Sequence, residues 1–334
     1  MAVDTRPPTR RALAAPAAEF APAAVAVLLI LAVLARPRLV GLLEKPAVAN
    51  WATVFVAVTV QALPFLVLGV TVSAGVAAFV PASAISRLFP DRPLYAVPVA
   101  ALAGAALPGC ECGSVPIARR LMARGVTPAA ALTFLLSAPA INPVVLVSTA
   151  VAFPGRPEMV LARFAASLLA AVAVGLAWTA FGRAEWLASV IRPASAPAAG
   201  GRAITVFATT ARHDFLSAGG YLVIGAAAAA SLQTAVPRSV VDVFAGSPVF
   251  SVLALAVLAV VLAICSEADA FVAAGLKQFS PTARLAFLIV GPMVDVKLIA
   301  LQAGTFGRAF TLRFAPLTFA CALGSAVLVG WWVL

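Results

Sequence analysis

Two cysteines separated by one residue are the side chains most suited to chemistry. Cys110 and Cys112 flank Glu111 in the segment ALPGCECGSVPIARRLMARG. Thiolates bind soft acceptors such as trivalent arsenic, Zn(II) or Cu(I). A closed zinc site takes four ligands, and Cys265 is the third candidate sulfur, so this set suits pyramidal trivalent arsenic better than zinc. Two other interpretations stay open: a redox pair, and small residues at a helix start beside Gly113.

Two charged residues, Asp295 and Lys297, lie inside the apolar segment LIVGPMVDVKLI. A charge at bilayer depth costs about 2.5–3.5 kcal/mol, so such residues usually face a cavity or a partner. Residues two apart do not face each other on a regular helix, so a direct pair needs a break near Pro292. We predict that Asp295 binds substrate or couples transport to a proton or another cation, and that Lys297 takes part in coupling or gating; a structural buried pair is the alternative.

Prolines interrupt two apolar segments. Pro139 and Pro143 lie in LLSAPAINPVV, and Pro292 lies in the segment just described. A proline within a helix frees a carbonyl, which membrane interiors tolerate only inside protein or along a cavity. Because Asn142 and Asp295 each follow a proline by three residues, the pattern predicts a midplane binding site with gating prolines. Two ordinary proline kinks are the alternative.

Two acidic residues follow Cys265 closely. Glu267 and Asp269 could admit a cation or carry a proton, which predicts a coupling or gating role. As residues at a helix start they could also serve only as capping acids.

The composition places these residues in a membrane. The chain of 334 residues is 63% apolar and 10% charged, against roughly 45–50% and about 25% in soluble domains. Apolar runs of this length predict an all-α, polytopic membrane protein. The net charge of +11 lies in loops and tails, so no nucleic-acid partner is expected. Neither a nucleotide-binding nor a metalloprotease motif occurs. We therefore expect that the protein binds no cofactor and is not an enzyme.

The apolar segments predict about nine spans, within a range of about 8–10. They fall near 20–35, 51–80, 94–109, 128–153, 160–181, 213–236, 248–265, 282–303 and 309–334. Residues 183–205 are rich in Pro, Ala and Gly and predict a linker. The expected organisation is a flexible tail over 1–19, a first helix and repeat over 20–182, the linker, and a second repeat over 206–334.

The repeats are predicted from an alignment of the chain with itself. At one constant offset Cys112 aligns with Cys265, Pro128 with Pro281, and Asn142 with Asp295. Internal duplication with broken helices is the common construction of secondary transporters.

The segment PGCECGSVPIARRLMARGVTPAAALTFLLSAPAINPVV resembles the signature of the bacterial predicted permeases that include the ArsP-type organoarsenical efflux proteins. The resemblance covers roughly residues 50–334, and GPMVDVK also matches it. It implies an inner-membrane permease without its own ATPase. Glu111 departs from the small residue often found there, which could favour a harder cation. The signature is filled by Pro108, Cys110, Cys112, Gly113, Pro116, Gly125, Pro139, Asn142 and Pro143.

The sequence thus predicts a secondary-type transporter that exports a thiol-reactive solute, such as a trivalent organoarsenical or a soft metal. Cys110, Cys112 and Cys265 would bind the solute together with Asn142 and Asp295. A divalent metal (zinc) transporter and a membrane thiol–disulfide oxidoreductase are the alternatives. The expected partners are the lipid bilayer, a small inorganic or organometallic solute, and an accessory membrane protein.

Overall fold

Helices make up the regular structure of the part of the chain that can be described. The computed structural model describes residues 45–81, 90, 92–106, 110–187, 203–235 and 248–334, and these contain no strand. The prediction of an all-α protein is confirmed. The predicted tail over 1–19 and the first apolar segment over 20–35 lie outside the described residues. Residues 1–50 form one unit and Trp51–Leu334 a second, and nearly all described residues belong to the second.

The described ranges contain twelve α-helices and one turn of 3-10 helix at Ala184–Leu187. In chain order the α-helices are α1 Pro46–Phe79, α2 Pro93–Ala105, α3 Glu111–Ala123, α4 Pro128–Ile141, α5 Pro143–Ala152, α6 Pro157–Phe181, α7 Ala203–Ala235, α8 Pro248–Leu262, α9 Asp269–Gly275, α10 Pro281–Met293, α11 Val296–Phe306 and α12 Arg308–Val333.

Six stretches are long and apolar enough to cross a membrane: α1, α4 with α5, α6, α7, α10 with α11, and α12. Helices α2 and α8 are apolar but have 13 and 15 residues, fewer than the roughly 20 that a straight span requires. Every predicted apolar segment after the first therefore coincides with a helix or a pair of helices. The prediction of a polytopic helical membrane protein is confirmed.

The two interrupted spans are the most buried of the six. Within their most apolar windows, 78% of the α4–α5 residues and 83% of the α10–α11 residues are buried, against 22–50% in the other four. Helix α4 packs against α2, α3 and α6, whereas α10 packs against α8, α9 and α12. Helices α4 and α10 also contact each other. Broken helices at the centre are shielded from lipid, as their unpaired backbone groups require.

The two breaks have different local causes. Asn142 is extended (φ −69°, ψ 157°) because it precedes Pro143, whose ring disfavours the helical conformation of the residue before it. No proline follows Asp295. There Val294 and Asp295 are both extended, and the Asp295 side chain caps the next helix.

Two short helices reach across to the later halves of the broken spans. Helix α3 packs against α11, and α9 packs against α5. The first turns of α3 and α11 therefore meet, although they are far apart in the sequence. These crossings bring together the polar residues described below.

The approach of α1 to α3 depends on two glycines. A Cβ atom on Gly69 would collide with the backbone of Gly113, and one on Gly113 would lie 2.8 Å from the Phe65 carbonyl oxygen. Gly69→Val is therefore expected to lower the free energy of unfolding by about 1–3 kcal/mol through overpacking. Thermal unfolding of the detergent-solubilised protein measures this loss.

Gly75 on the same helix provides the matched control, because a Cβ atom there would meet nothing within 4 Å. Gly75→Ala is expected to leave stability unchanged or to raise it by about 0.5–1 kcal/mol, as alanine favours helix. Equal losses at both positions would contradict the close packing of α1 on α3.

Candidate functional site

The Cys-Glu-Cys motif forms the start of helix α3. Cys110 is the N-cap residue with an extended backbone (φ −86°, ψ 174°), but its side chain makes no capping hydrogen bond. Cys110, Glu111 and Cys112 are all fully buried. Both cysteines, like Cys265, are free thiols. Capping therefore does not explain the residue type at Cys110.

Glu111 forms a buried ion pair with Lys297. The Lys297 Nζ donates to Glu111 Oε1 at 2.5 Å, and both side chains are fully buried. The pair joins the first turn of α3 to the first turn of α11 across 186 positions of sequence. The sequence analysis gave Lys297 a coupling or gating role and treated Glu111 only as a residue that could favour a harder cation, so it did not pair the two.

Asp295 lies on the other side of the Lys297 ammonium group. Its Oδ1 accepts a hydrogen bond from the Leu298 backbone N–H at 2.6 Å, and its Oδ2 lies 3.9 Å from Lys297 Nζ. The break before α11 allows this approach, as the sequence required for any pairing of residues two apart. Among the residues that the structure describes, none provides a hydrogen-bond partner for Glu111 Oε2 or Asp295 Oδ2.

Asn142 caps α5 in the way that Asp295 caps α11. Its Oδ1 accepts from the Val145 N–H at 3.0 Å, and its Nδ2 donates to the Ala138 carbonyl at 2.9 Å. Pro143 is the first residue of α5. Pro139 and Pro292 lie within α4 and α10, and each helix continues past its proline, to Ile141 and Met293. Their gating role stays a prediction.

A second buried ion pair involves a residue that the sequence analysis missed. Arg163 of α6 is fully buried, and its Nη2 donates to Asp269 Oδ2 at 2.9 Å and to the Ser266 carbonyl at 3.0 Å. Its Nη1 donates to Thr149 Oγ1 at 2.8 Å. Asp269 therefore pairs with an arginine rather than only capping α9. A single arginine within an apolar span is the signal that could have found this residue.

The segment before α9 places Cys265 and Glu267 near the first ion pair. Cys265 is buried, and its thiol lies within electrostatic range of Lys297, Glu111 and Cys110. Burial raises the pKa of Cys265, and burial together with the charge of Glu111 raises the pKa of the half-buried Glu267. The structure thus collects the three predicted thiols and the predicted carboxylates around α3, α9 and α11.

The Cys110 thiol is held in its neutral form. A hydrogen bond with Cys112 and burial both raise the pKa of Cys110. A soft ion that bound these sulfurs would therefore have to displace thiol protons. Within the described ranges, no group of three or more His, Cys, Asp or Glu side chains is arranged to hold a metal ion. A three-sulfur site stays a prediction.

A third charged cluster is partly exposed and joins α1, α3 and α7. Arg120 Nη2 lies 3.1 Å from Asp214 Oδ2, and Arg119 Nη1 lies 3.6 Å from Asp214 Oδ1. Ser73 of α1 donates to the same carboxylate at 3.1 Å. Because Arg120 lies in the last turn of α3, it also compensates the helix dipole. This cluster fastens the end of α3 opposite to the cysteines.

Comparisons with known proteins agree with this architecture. Over 281 residues the chain is 35% identical to the UPF0718 protein YcgR of Bacillus subtilis (strain 168), a match that covers 83% of this chain and 96% of that protein. It is 29% identical over 266 residues to a Streptococcus mutans protein named as a two-component membrane permease complex subunit, covering 78% and 88% of the two chains. No solved structure matches.

The family model described as a predicted permease, ArsP_1, matches residues 47–331, which include all the helices from α2 to α11 and nearly all of α1 and α12. The matched region also contains both buried ion pairs, both helix breaks and the three buried cysteines. Together with the multi-pass helical fold, this match shows that the chain belongs to the ArsP_1 family of predicted membrane permeases.

Proposed function

We propose that this permease exports a thiol-reactive solute, such as a trivalent organoarsenical or a soft metal ion, across the bacterial inner membrane. Cys110, Cys112 and Cys265 would bind the solute. The observation that carries the proposal is the burial of three reduced thiols, exposed by no more than 2%, where α3 and α9 meet the broken spans. The outward direction rests on the resemblance to ArsP-type efflux permeases.

The broken spans would supply the transport path. Asn142 and Asp295 begin the second helix of each span, so their capped N-termini face the protein interior. Discontinuous helices of this kind form the midplane sites of many secondary transporters. Asp295 or Glu267 would couple solute movement to protons, and Pro139, Pro143 and Pro292 would allow the gate to bend.

Two internal repeats would explain why the site has paired elements. Helices α4 and α10 begin at the aligned prolines Pro128 and Pro281, and the breaks fall at the aligned residues Asn142 and Asp295. In the alignment α3 corresponds to α9, and α5 corresponds to α11. The contact of α3 with α11 therefore corresponds to the contact of α9 with α5. These coincidences support a duplication in which each repeat completes the other.

The zinc alternative would use the carboxylates of Glu111, Glu267 and Asp269. Glu111 is bonded to Lys297 and Asp269 to Arg163, so two of the three are already paired with cations. Zinc would have to displace both pairs. This observation favours the thiol-reactive solute.

An accessory membrane subunit would complete the transporter. The support is the name of the Streptococcus mutans relative, which describes a subunit of a two-component membrane permease complex. Co-purification of the chromosomally tagged protein in mild detergent tests this association. Recovery of this chain alone would contradict it.

Cellular element content tests the substrate. A host lacking related transporters is exposed separately to methylarsenite, arsenite, zinc and cadmium. The cell-associated content of arsenic, zinc or cadmium is measured by mass spectrometry. Wild type is expected to lower cellular arsenic, and Cys110→Ser and Cys112→Ser are expected to abolish that difference. Cys321→Ser is the matched control, because Cys321 is a half-buried thiol in α12.

If no element changes between expressing and empty cells, the thiol-reactive substrate is excluded. Thiol titration then decides the remaining alternative. A thiol–disulfide oxidoreductase requires a reversible Cys110–Cys112 disulfide, which is strained in so small a ring. A transporter requires the reduced thiols and a measurable flux.

A further inference from the structure

Lys297 lies near two buried carboxylates, and its single ammonium group does not hydrogen-bond both of them. Lys297 Nζ bonds Glu111 Oε1 at 2.5 Å but lies 3.9 Å from Asp295 Oδ2, which is too far for a hydrogen bond. All three side chains are fully buried. A buried carboxylate oxygen without a donor is costly, because no water replaces the missing bond.

We propose that Glu111, Lys297 and Asp295 form a proton-binding site in which the ammonium group bonds the two carboxylates in turn. The carboxylate that Lys297 leaves takes up a proton from solution, and it releases that proton when Lys297 returns. In the structure Lys297 bonds Glu111, so Asp295 is the proton acceptor of this state. The coupling of this exchange to solute movement rests on the proposed transport, whereas proton binding itself does not.

The remaining oxygens support a proton as the ligand. Within the described part of the chain, Glu111 Oε2 and Asp295 Oδ2 have no hydrogen-bond partner, and helix α11 satisfies only Asp295 Oδ1. A proton neutralises a buried carboxylate and turns one of its oxygens into an O–H donor, so the group no longer needs a cation. A metal cation would need several more oxygen ligands and would be repelled by the adjacent ammonium group. The described residues contain no group of metal-binding side chains of that size.

The charged groups around Lys297 leave its ammonium group available to either Glu111 or Asp295. The other titratable or charged side chains within electrostatic range come from α3, α6 and the segment at α9. They are Cys110, Cys112, Arg163, Cys265, Glu267 and Asp269. Of these, Arg163 and Asp269 are bonded to each other. Of the cations in the described ranges, Lys297 is therefore the one left for the carboxylates at the start of α3 and α11.

The backbone at Lys297 is packed tightly against helix α7. A Cβ atom on Gly225 of α7 would lie 2.8 Å from Lys297 Cα, so α7 packs directly on the first turn of α11. Asp295 and Lys297 belong to the same break, whereas Glu111 belongs to α3. Movement of the ammonium group from Glu111 to Asp295 would break the ion pair that joins α3 to α11, which links proton binding to the packing of these helices.

Infrared difference spectroscopy of the purified full-length protein in lipid nanodiscs tests the site without any solute. The C=O stretch of a buried protonated carboxyl gives an infrared band that shifts in deuterated buffer. Wild type is expected to show this band, and Asp295→Asn is expected to lack its Asp295 component. Glu111→Gln is also expected to lose it, because Lys297 then bonds Asp295 permanently. Lys297→Met is expected to increase the band, because two carboxyls are then protonated.

Two control variants accompany these measurements. Glu185→Gln removes an exposed carboxylate near α6 and is expected to leave the band unchanged. The double variant Glu111→Gln with Lys297→Met leaves Asp295 as the carboxyl without a cation, so the Asp295 component is expected to persist. This variant also removes both charges of the tight pair, which guards against failure to fold.

An unchanged band in Glu111→Gln would overturn the proposal, since the two carboxylates would then not share the ammonium group. Loss of the wild-type band on addition of sodium at constant pH would also overturn it and would indicate a metal cation instead. If the band behaves as expected but no element moves in cells, the substrate proposal fails and the proton site stands. If cellular arsenic changes but the band is absent, the proton site fails and the substrate proposal stands.

Discussion

Replacement of Lys297 by methionine is expected to lower the free energy of unfolding by about 3–5 kcal/mol and to abolish transport. Removal of one partner of a buried ion pair leaves the other charge without compensation, and here the loss strands Glu111 and Asp295 together. Protonation of these carboxylates limits the loss at acidic pH. Thermal unfolding of the purified protein and cellular element content measure the two effects.

The stability loss should depend on Glu111. In the double variant Glu111→Gln with Lys297→Met, most of the stability is expected to return, because a buried pair can often be replaced by neutral residues at little cost. Transport is not expected to return. Lys277→Met is the control, since Lys277 is exposed and its loss should change stability by no more than about 0.5 kcal/mol. Additive losses in the double variant would show that the two residues do not interact.

Replacement of Arg163 by methionine is expected to be comparably severe, again about 3–5 kcal/mol. The guanidinium group satisfies Thr149 Oγ1, the Ser266 carbonyl and Asp269 Oδ2, and it connects α5, α6 and the start of α9. Without it, Asp269 remains buried with no cation bonded to it. Thermal unfolding and the yield of monodisperse protein measure the loss.

Arg163→Lys should recover only part of the stability, because a single ammonium group cannot reproduce the planar fork of donors. Arg156→Met, at an exposed arginine just before α6, is the matched control and should be nearly neutral. Asp269→Asn combined with Arg163→Met should be more stable than Arg163→Met alone. A double variant no more stable than the single one would contradict the importance of the Arg163–Asp269 pair.

The sequence by itself determined the class of protein and the position of one of its two breaks. With 63% apolar residues, the chain belongs in a membrane whatever its tertiary structure. Pro143 requires an extended Asn142, so the break between α4 and α5 is a local property. The alternation of apolar segments also located the helices, because a spanning helix needs a continuous apolar run.

The sequence also singled out Asp295 and Lys297, and it made their direct approach conditional on a break in the helix. A direct approach required a break, and the structure contains that break at Val294 and Asp295. The prediction that prolines themselves interrupt the helices was less accurate. Pro139 and Pro292 are accommodated within α4 and α10, because each lies in the last turn, where few backbone bonds are lost.

Only the tertiary structure decided which charges pair. Glu111 bonds Lys297 across 186 positions, and Arg163 bonds Asp269 across 106. Periodicity shows which residues share a face of one helix, but it does not show which other helix will meet that face. The crossing of α3 onto α11 and of α9 onto α5 made that selection, because packing of the broken spans at the centre brings the starts of the short helices to them.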